Sequence, residues 1–116
     1  MKRLFVVIRT KGKAWDAAKP MRSQVQWPEH ASFMDDLATN RFVILGGPLD
    51  AGDRTLLVVD AADENEIRTT LARDPWSKLG ILEIESMQLW TVLLQAGPAL
   101  QAMPSPEKIS SFEARA

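Results

Sequence analysis

Cysteine is absent from this chain and histidine occurs once. Without thiols there is no disulfide and no thiolate nucleophile, and one imidazole leaves too few ligands for a zinc centre made by the protein itself. Charge of one sign is also lacking. The 14 Lys and Arg residues are nearly matched by 15 Asp and Glu, and the basic residues are scattered, so there is no electrostatic footprint for nucleic acid or an anionic membrane. Long hydrophobic runs are missing too: no stretch is apolar for long enough to span a bilayer. Met1-Lys2-Arg3 before Leu4 resembles the opening of a secretion signal. Its apolar run ends at Ile8, however, and Arg9, Lys11 and Lys13 follow without a small-residue cleavage site, so no leader is expected. These absences point to a cytoplasmic protein that works without metal or cofactor and has neither nucleic acid nor membrane as a partner.

The remaining composition suits one globular domain: 116 residues, 46% hydrophobic and 25% charged, enough for one core and too few for a second lobe. We expect that domain over 1–95 and a C-terminal tail or arm over 96–116, where Gly97, Pro98, Pro104 and Pro106 interrupt any long element and 105–115 suits a short helix or a frayed arm.

Residues 4–8 are apolar and rich in β-branched side chains, without polar alternation, the pattern of a central strand covered on both faces. Periodicity then lapses from Thr10 to Gln26, a long connection in which Trp15 and Met21 either tack the loop to the body or meet a ligand. A helix over 28–40 follows. Pro28 suits its first turn, Phe33, Met34 and Leu37 form its apolar stripe, and Asn40 is a candidate terminator. Residues 41–45 read as a strand and 54–60 as its hairpin partner. Between them, Gly46-Gly47-Pro48 is not a phosphate loop, because no Lys-Ser or Lys-Thr follows; it permits a bulge or, less simply, the approach of a ligand to the backbone. Asp63 with Glu66 three residues on has capping-box spacing and opens a second helix. Ile67 and Leu71 form its inward stripe, which ends on Asp74 just before Pro75. A loop over 76–80 and a long strand over 81–94 complete the domain.

The order strand, helix, strand, strand, helix, strand predicts an α+β domain of the ferredoxin-like (βαββαβ) kind, a four-stranded antiparallel sheet with two helices on one face. If the first strand runs upward, the first helix begins at the top and the second ends there. His30, near the start of one, and Asp74, at the end of the other, are therefore expected to meet. A carboxylate on one imidazole nitrogen fixes the tautomer and supports the imidazolium, leaving the other nitrogen to take and return a proton. Alone, each residue has a plainer reading, a core histidine bonded to a carbonyl and an Asp-Pro turn former; their convergence at one pole favours chemistry. Arg9 and Arg54 are candidates to hold a substrate anion, although a strand-edge arginine is usually a solvated charge. The second face of the sheet has no cover in so small a chain, so a homodimer packed sheet to sheet is expected.

Taken in order, His30 with Phe33-Met34 behind it, Gly46-Gly47-Pro48-Leu49, Asp74-Pro75-Trp76 with Gly80, and Trp90 resemble the YCII-related (YciI-like) family over roughly 4–94. The resemblance implies a dimeric α+β barrel of ferredoxin-like chains and a His and Asp centred site, carried over onto His30 and Asp74. It also implies a cleft for a small organic molecule, since the family includes a dehydrochlorinase acting on a chlorinated hydroxyquinol. Trp27, Phe33, Gly47, Pro48 and Trp76 are the further candidates to line that cleft, and the tryptophans suit a flat or aromatic ligand. The function expected is a cofactor-independent enzyme performing proton transfer, elimination or isomerisation on a small cyclic or aromatic molecule, with His30 as acid–base and Asp74 as its orienter. The alternative is a non-catalytic module, also dimeric, that binds a small molecule or regulates.

Overall fold

The computed structural model describes residues 3–50 and 52–97. Its strands are β1 (Arg3–Lys11), β2 (Val43–Leu49), β3 (Arg54–Ala61) and β4 (Leu82–Leu89). Its helices are α1 (Trp27–Thr39), α2 (Glu64–Leu71) and the short α3 (Pro75–Leu79), with a single 3-10 turn at Met21–Ser23. The strands form one antiparallel sheet in the order β2-β3-β1-β4, an α+β arrangement compatible with a ferredoxin-like fold. Among the described residues no helix is long and apolar enough to cross a membrane.

Alternation along β1 divides the sheet into two unlike faces. Phe5, Val7 and Arg9 are buried on one, with Val59 and Leu57 beside them on β3. Leu37 of α1 and Ile67 and Leu71 of α2 join Phe5 and Val7 in one core cluster, so both helices cover the same face. Burial of such side chains stabilises by about 1.5–3 kcal/mol each. Leu4, Val6 and Ile8 point the other way and stay half-buried, and Leu45 and Leu49 on β2 are exposed. A second cluster gathers Trp27, Ala31, Trp76, Ile81 and Leu82, with Trp15 packed against it, at the end of the sheet where α1 begins.

Local chemistry sets the element ends. At the close of α1 the Phe42 N–H bonds the Leu37 carbonyl and the Arg41 N–H bonds that of Ala38. Arg41 has φ of 63°, so it, and not Asn40, is the left-handed residue of a Schellman-type stop, and Phe42 packs with Leu37 as that motif favours. Asp63 caps α2, its carboxylate accepting from the Glu66 N–H at 2.8 Å, and the Glu66 carboxylate reaches back one residue beyond the usual box, accepting from the Ala62 N–H at 2.7 Å.

Three sequence expectations are corrected. Residues 76–80 are not a loop: Pro75 fits a first turn, Asp74 caps it and Gly80, with φ of 77°, ends it, so a helix forms where Pro75 suggested only a stop. The double glycine is not a bulge. Register shifts one step earlier, between Val43 and Leu45, and Gly46-Gly47-Pro48 continues β2, an edge strand that tolerates proline. A Cβ at Gly46 would stand 2.8 Å from Leu57 Cδ2, which would have to shift, whereas none would meet anything within 4 Å at Gly47. The last strand ends at Leu89 and does not reach Leu94; Leu93 and Leu94 are exposed beyond it. The short helix or frayed arm expected over 105–115 lies outside the described residues.

The long connection after β1 is fastened at its start, where the Gly12 N–H bonds the Ile81 carbonyl at 2.8 Å and the Ala14 N–H that of Gly80 at 3.0 Å. A Cβ at Gly12 would overlap the Gly80 carbonyl oxygen, which is backbone and cannot turn aside. Gly12→Ala is therefore expected to cost about 1–3 kcal/mol, read as a fall of several degrees in the thermal midpoint, whereas Gly47→Ala stays within about 0.5 kcal/mol of the parent.

Candidate active site

Three elements deliver the site. α1 carries His30 one turn from its start, β1 carries Arg9 on its buried face, and Asp74 is the N-cap of α3. The register of β1 with β4 shifts between Ile8 and Arg9, where Glu85 of β4 is the extra residue, and Arg9 keeps the alternation that buries Phe5 and Val7. Asp74 is 0% exposed and Arg9 1%.

The carboxylate of Asp74 is fully engaged. It accepts from His30 Nδ1 at 2.9 Å to both oxygens, from Arg9 Nη1 at 3.0 Å on Oδ2, and from the Trp76 backbone N–H at 2.9 Å on Oδ1. A carboxylate only accepts, so the proton between it and the imidazole belongs to Nδ1. Nε2 has no hydrogen-bond partner among the described residues, and His30 lines a cleft of about 480 Å³. Burial pushes the Asp74 carboxyl up, but the hydrogen bond and charge of His30, the charge of Arg9 and the Trp76 N–H together outweigh it, so the group is held below the usual carboxylate range. Burial also pulls Arg9 down, against the charge and hydrogen bond of Asp74.

Trp76 fixes the remaining freedom of the ring. Its indole lies parallel to the imidazole, centroids 3.8 Å apart and planes 4° apart. The indole is itself held by a 2.7 Å bond from Nε1 to the Val25 carbonyl and by edge and tilted contacts with Trp15 and Trp27. Plane and tautomer are thus both set. Elsewhere the cleft wall is mainly apolar, with Met34, Leu57 and Leu82 among its residues, and Lys11 and Asp53, paired at 3.1 Å, contribute charge.

Of the residues picked from sequence, Arg9, Trp27, His30, Gly47, Pro48 and Trp76 line the cleft, and Asp74 is bonded directly behind His30. Two lie elsewhere. Phe33 packs with the main core, and Arg54 pairs with Glu85 at 3.0 Å and is not a cleft residue. Arg9 is present but turned from a substrate: its terminal nitrogens go to Asp74 and, at 2.7 Å, to Ser77 Oγ. Sequence reasoning missed Ser77 because 76–80 was read as a loop; one helical turn after Asp74 is the spacing that finds it. Lys11 was missed although strand parity puts it on the side of Arg9.

Among the described residues no group of three or more His, Asp and Glu side chains is placed to hold a metal ion. Compared with protein-family models, with curated proteins and with solved structures, the chain has no match.

The depressed Asp74 carboxyl fixes the sign of its pH dependence. Its folded value lies below its unfolded one, so its contribution is complete above the ordinary aspartate value of about 3.9 and is lost as pH falls through the folded value. Asp74→Ala is expected to cost about 3–5 kcal/mol at pH 7, because it leaves the Arg9 charge buried without a partner. The gap to the parent should narrow in acid, which urea midpoints at pH 7 and at the lowest pH where both proteins fold will measure.

Proposed function

We propose that this protein is a small, cofactor-independent enzyme of the YCII-related kind that moves protons on a small cyclic or aromatic molecule, with His30 as general acid–base and Asp74 as its orienter. One observation carries this reading: an imidazole held through Nδ1 by a buried carboxylate, with Nε2 left without a partner among the described residues, beside an apolar cleft. In the neutral ring Nε2 takes a proton from an acidic C–H or O–H of the bound molecule, and the new charge is shared with Asp74. Returning that proton to another atom is isomerisation; loss of a leaving group in its place is elimination. General acid–base catalysis of this type is worth about 10²–10⁴-fold in rate. The apolar wall, with Trp15, Trp27 and Trp76 among its residues, favours a mostly apolar substrate.

The same reading makes the working unit a homodimer of α+β barrel form, in the cytoplasmic setting that a cysteine-free chain suits. Its support is the sheet face away from the helices, where Leu4, Val6, Ile8 and Leu56 are only half-buried and Leu45 is 56% exposed. An apolar face of this kind is covered in stable proteins by another layer. Ile8→Glu, in the middle of that face, is expected to halve the mass measured by light scattering while the far-UV circular dichroism is kept; a parent protein already monomeric contradicts the dimer.

The chemistry is tested without knowing the reaction. Small cyclic and aromatic molecules with labile C–H bonds are incubated with the protein in D₂O and followed by proton NMR. Protein-dependent exchange that falls about 100-fold or more in His30→Gln is the expected result. Binding without exchange favours the non-catalytic module, and exchange that persists in the variant removes His30 from the mechanism.

A further inference from the structure

We propose that Arg9 is a positioning residue that takes up the charge of Asp74, so that the carboxylate orients the His30 ring without locking it as an imidazolium. This deepens the acid–base reading and rests on it.

The geometry gives Arg9 no free hand for a substrate. Nη1 bonds Asp74 Oδ2, with Met34 Sδ at 3.8 Å, Nη2 bonds Ser77 Oγ at 2.7 Å, and Nε is enclosed without a partner. At 1% exposure, a substrate anion would reach the guanidinium only by displacing Asp74 or Ser77. What Arg9 does touch is the oxygen that also receives His30 Nδ1: Oδ2 lies 3.0 Å from one cation and 2.9 Å from the imidazole. One carboxylate faces two groups, each able to neutralise it, and only the guanidinium is charged at every ordinary pH. With Arg9 present the cluster is neutral when His30 is unprotonated, the state in which Nε2 is a base. It gains a single positive charge when the ring takes a substrate proton, which favours the anion left behind. Without Arg9 the imidazole would be the one counter-ion left to the buried carboxylate among the side chains bonded to it here, which favours the protonated ring.

The other charges near His30 do not supply this balance. Lys11 of β1 is paired with Asp53 of the turn between β2 and β3. Asp35 of α1 lines the same cleft, Glu29 of α1 is exposed, and the Arg22 guanidinium lies over the Trp27 ring at 5.9 Å. Arg9 and Asp74 are the two charged side chains bonded within the cluster itself.

The test follows the His30 ring protons by NMR across pH in the parent, Arg9→Met and Arg9→Lys; a single histidine makes the signals unambiguous. In Arg9→Met the titration midpoint is expected to rise by about one pH unit or more, a tenfold gain in proton affinity, while Arg9→Lys, which keeps the cation, stays within about a third of a unit of the parent. Should Arg9→Met not fold, Arg9→Gln takes its place, since a neutral amide still donates to Asp74. Superimposed curves for parent and neutral variant overturn the proposal, as does a lysine variant that moves as far as the neutral one. If neither neutral variant folds and Arg9→Lys does, Arg9 is a structural counter-ion and the proposal also fails. Turnover is not read, so a raised midpoint with no exchange chemistry removes the enzyme reading alone, whereas exchange chemistry with superimposed curves removes the role of Arg9 alone.

Discussion

A fully enclosed carboxylate has to be given hydrogen bonds and opposite charge, and in this protein Asp74 imposes that demand on every element around it. An ionised group taken out of water costs several kcal/mol unless good geometry repays it. The repayment comes from three directions at once: Arg9 from β1, His30 from α1 and the backbone of Trp76 from α3. A shift of any of these elements takes a hydrogen bond from the buried carboxylate. The same contacts that hold the end of the sheet together therefore hold the imidazole to about the tolerance that proton transfer needs.

The tripeptide Asp74-Pro75-Trp76 concentrates this economy. The aspartate caps its own helix, the proline fits a first turn that needs no donor, and the tryptophan stacks on the histidine that the aspartate bonds. Local helix capping and long-range site assembly use the same atoms. Trp76 in turn is tied to Val25, so the long connection after β1 is coupled to the plane of the imidazole. That connection is closed on itself by Gln24, which bonds the backbone of Asp16 and Lys19, and it behaves as part of the wall of the site.

Much of this was legible in the sequence, for reasons that differ by residue. The approach of His30 and Asp74 followed from topology, because helix direction in an alternating α+β chain decides which ends share a pole, and the described geometry has them in contact. The helix cap at Asp63 was legible because it is local. Failures came where tertiary context overrides a local signal. Pro75 read as a stop, yet the same residue begins α3. Gly46 and Gly47 read as a bulge, yet β2 runs through them, with Gly46 close against Leu57 across the pair. Arg9 read as a candidate to hold a substrate anion or, more plainly, as a solvated charge, because nothing in a single sequence says that a strand residue two places from a lysine will be sealed under a helix cap. The side-chain fork that engages Ser77 and Asp74 is a property of packing, not of pattern.

The central claim is that Asp74 and His30 form one electrostatic unit and are not merely neighbours. It is met most directly by comparing the titration of the His30 ring protons in the parent with that in Asp74→Asn, under conditions where both proteins are folded. The account predicts a midpoint displaced to lower pH by about one unit or more in the variant, because the ring loses its carboxylate and keeps Arg9 nearby. Two superimposed curves would contradict it, and would leave a bonded pair with no influence on the proton it is held to exchange.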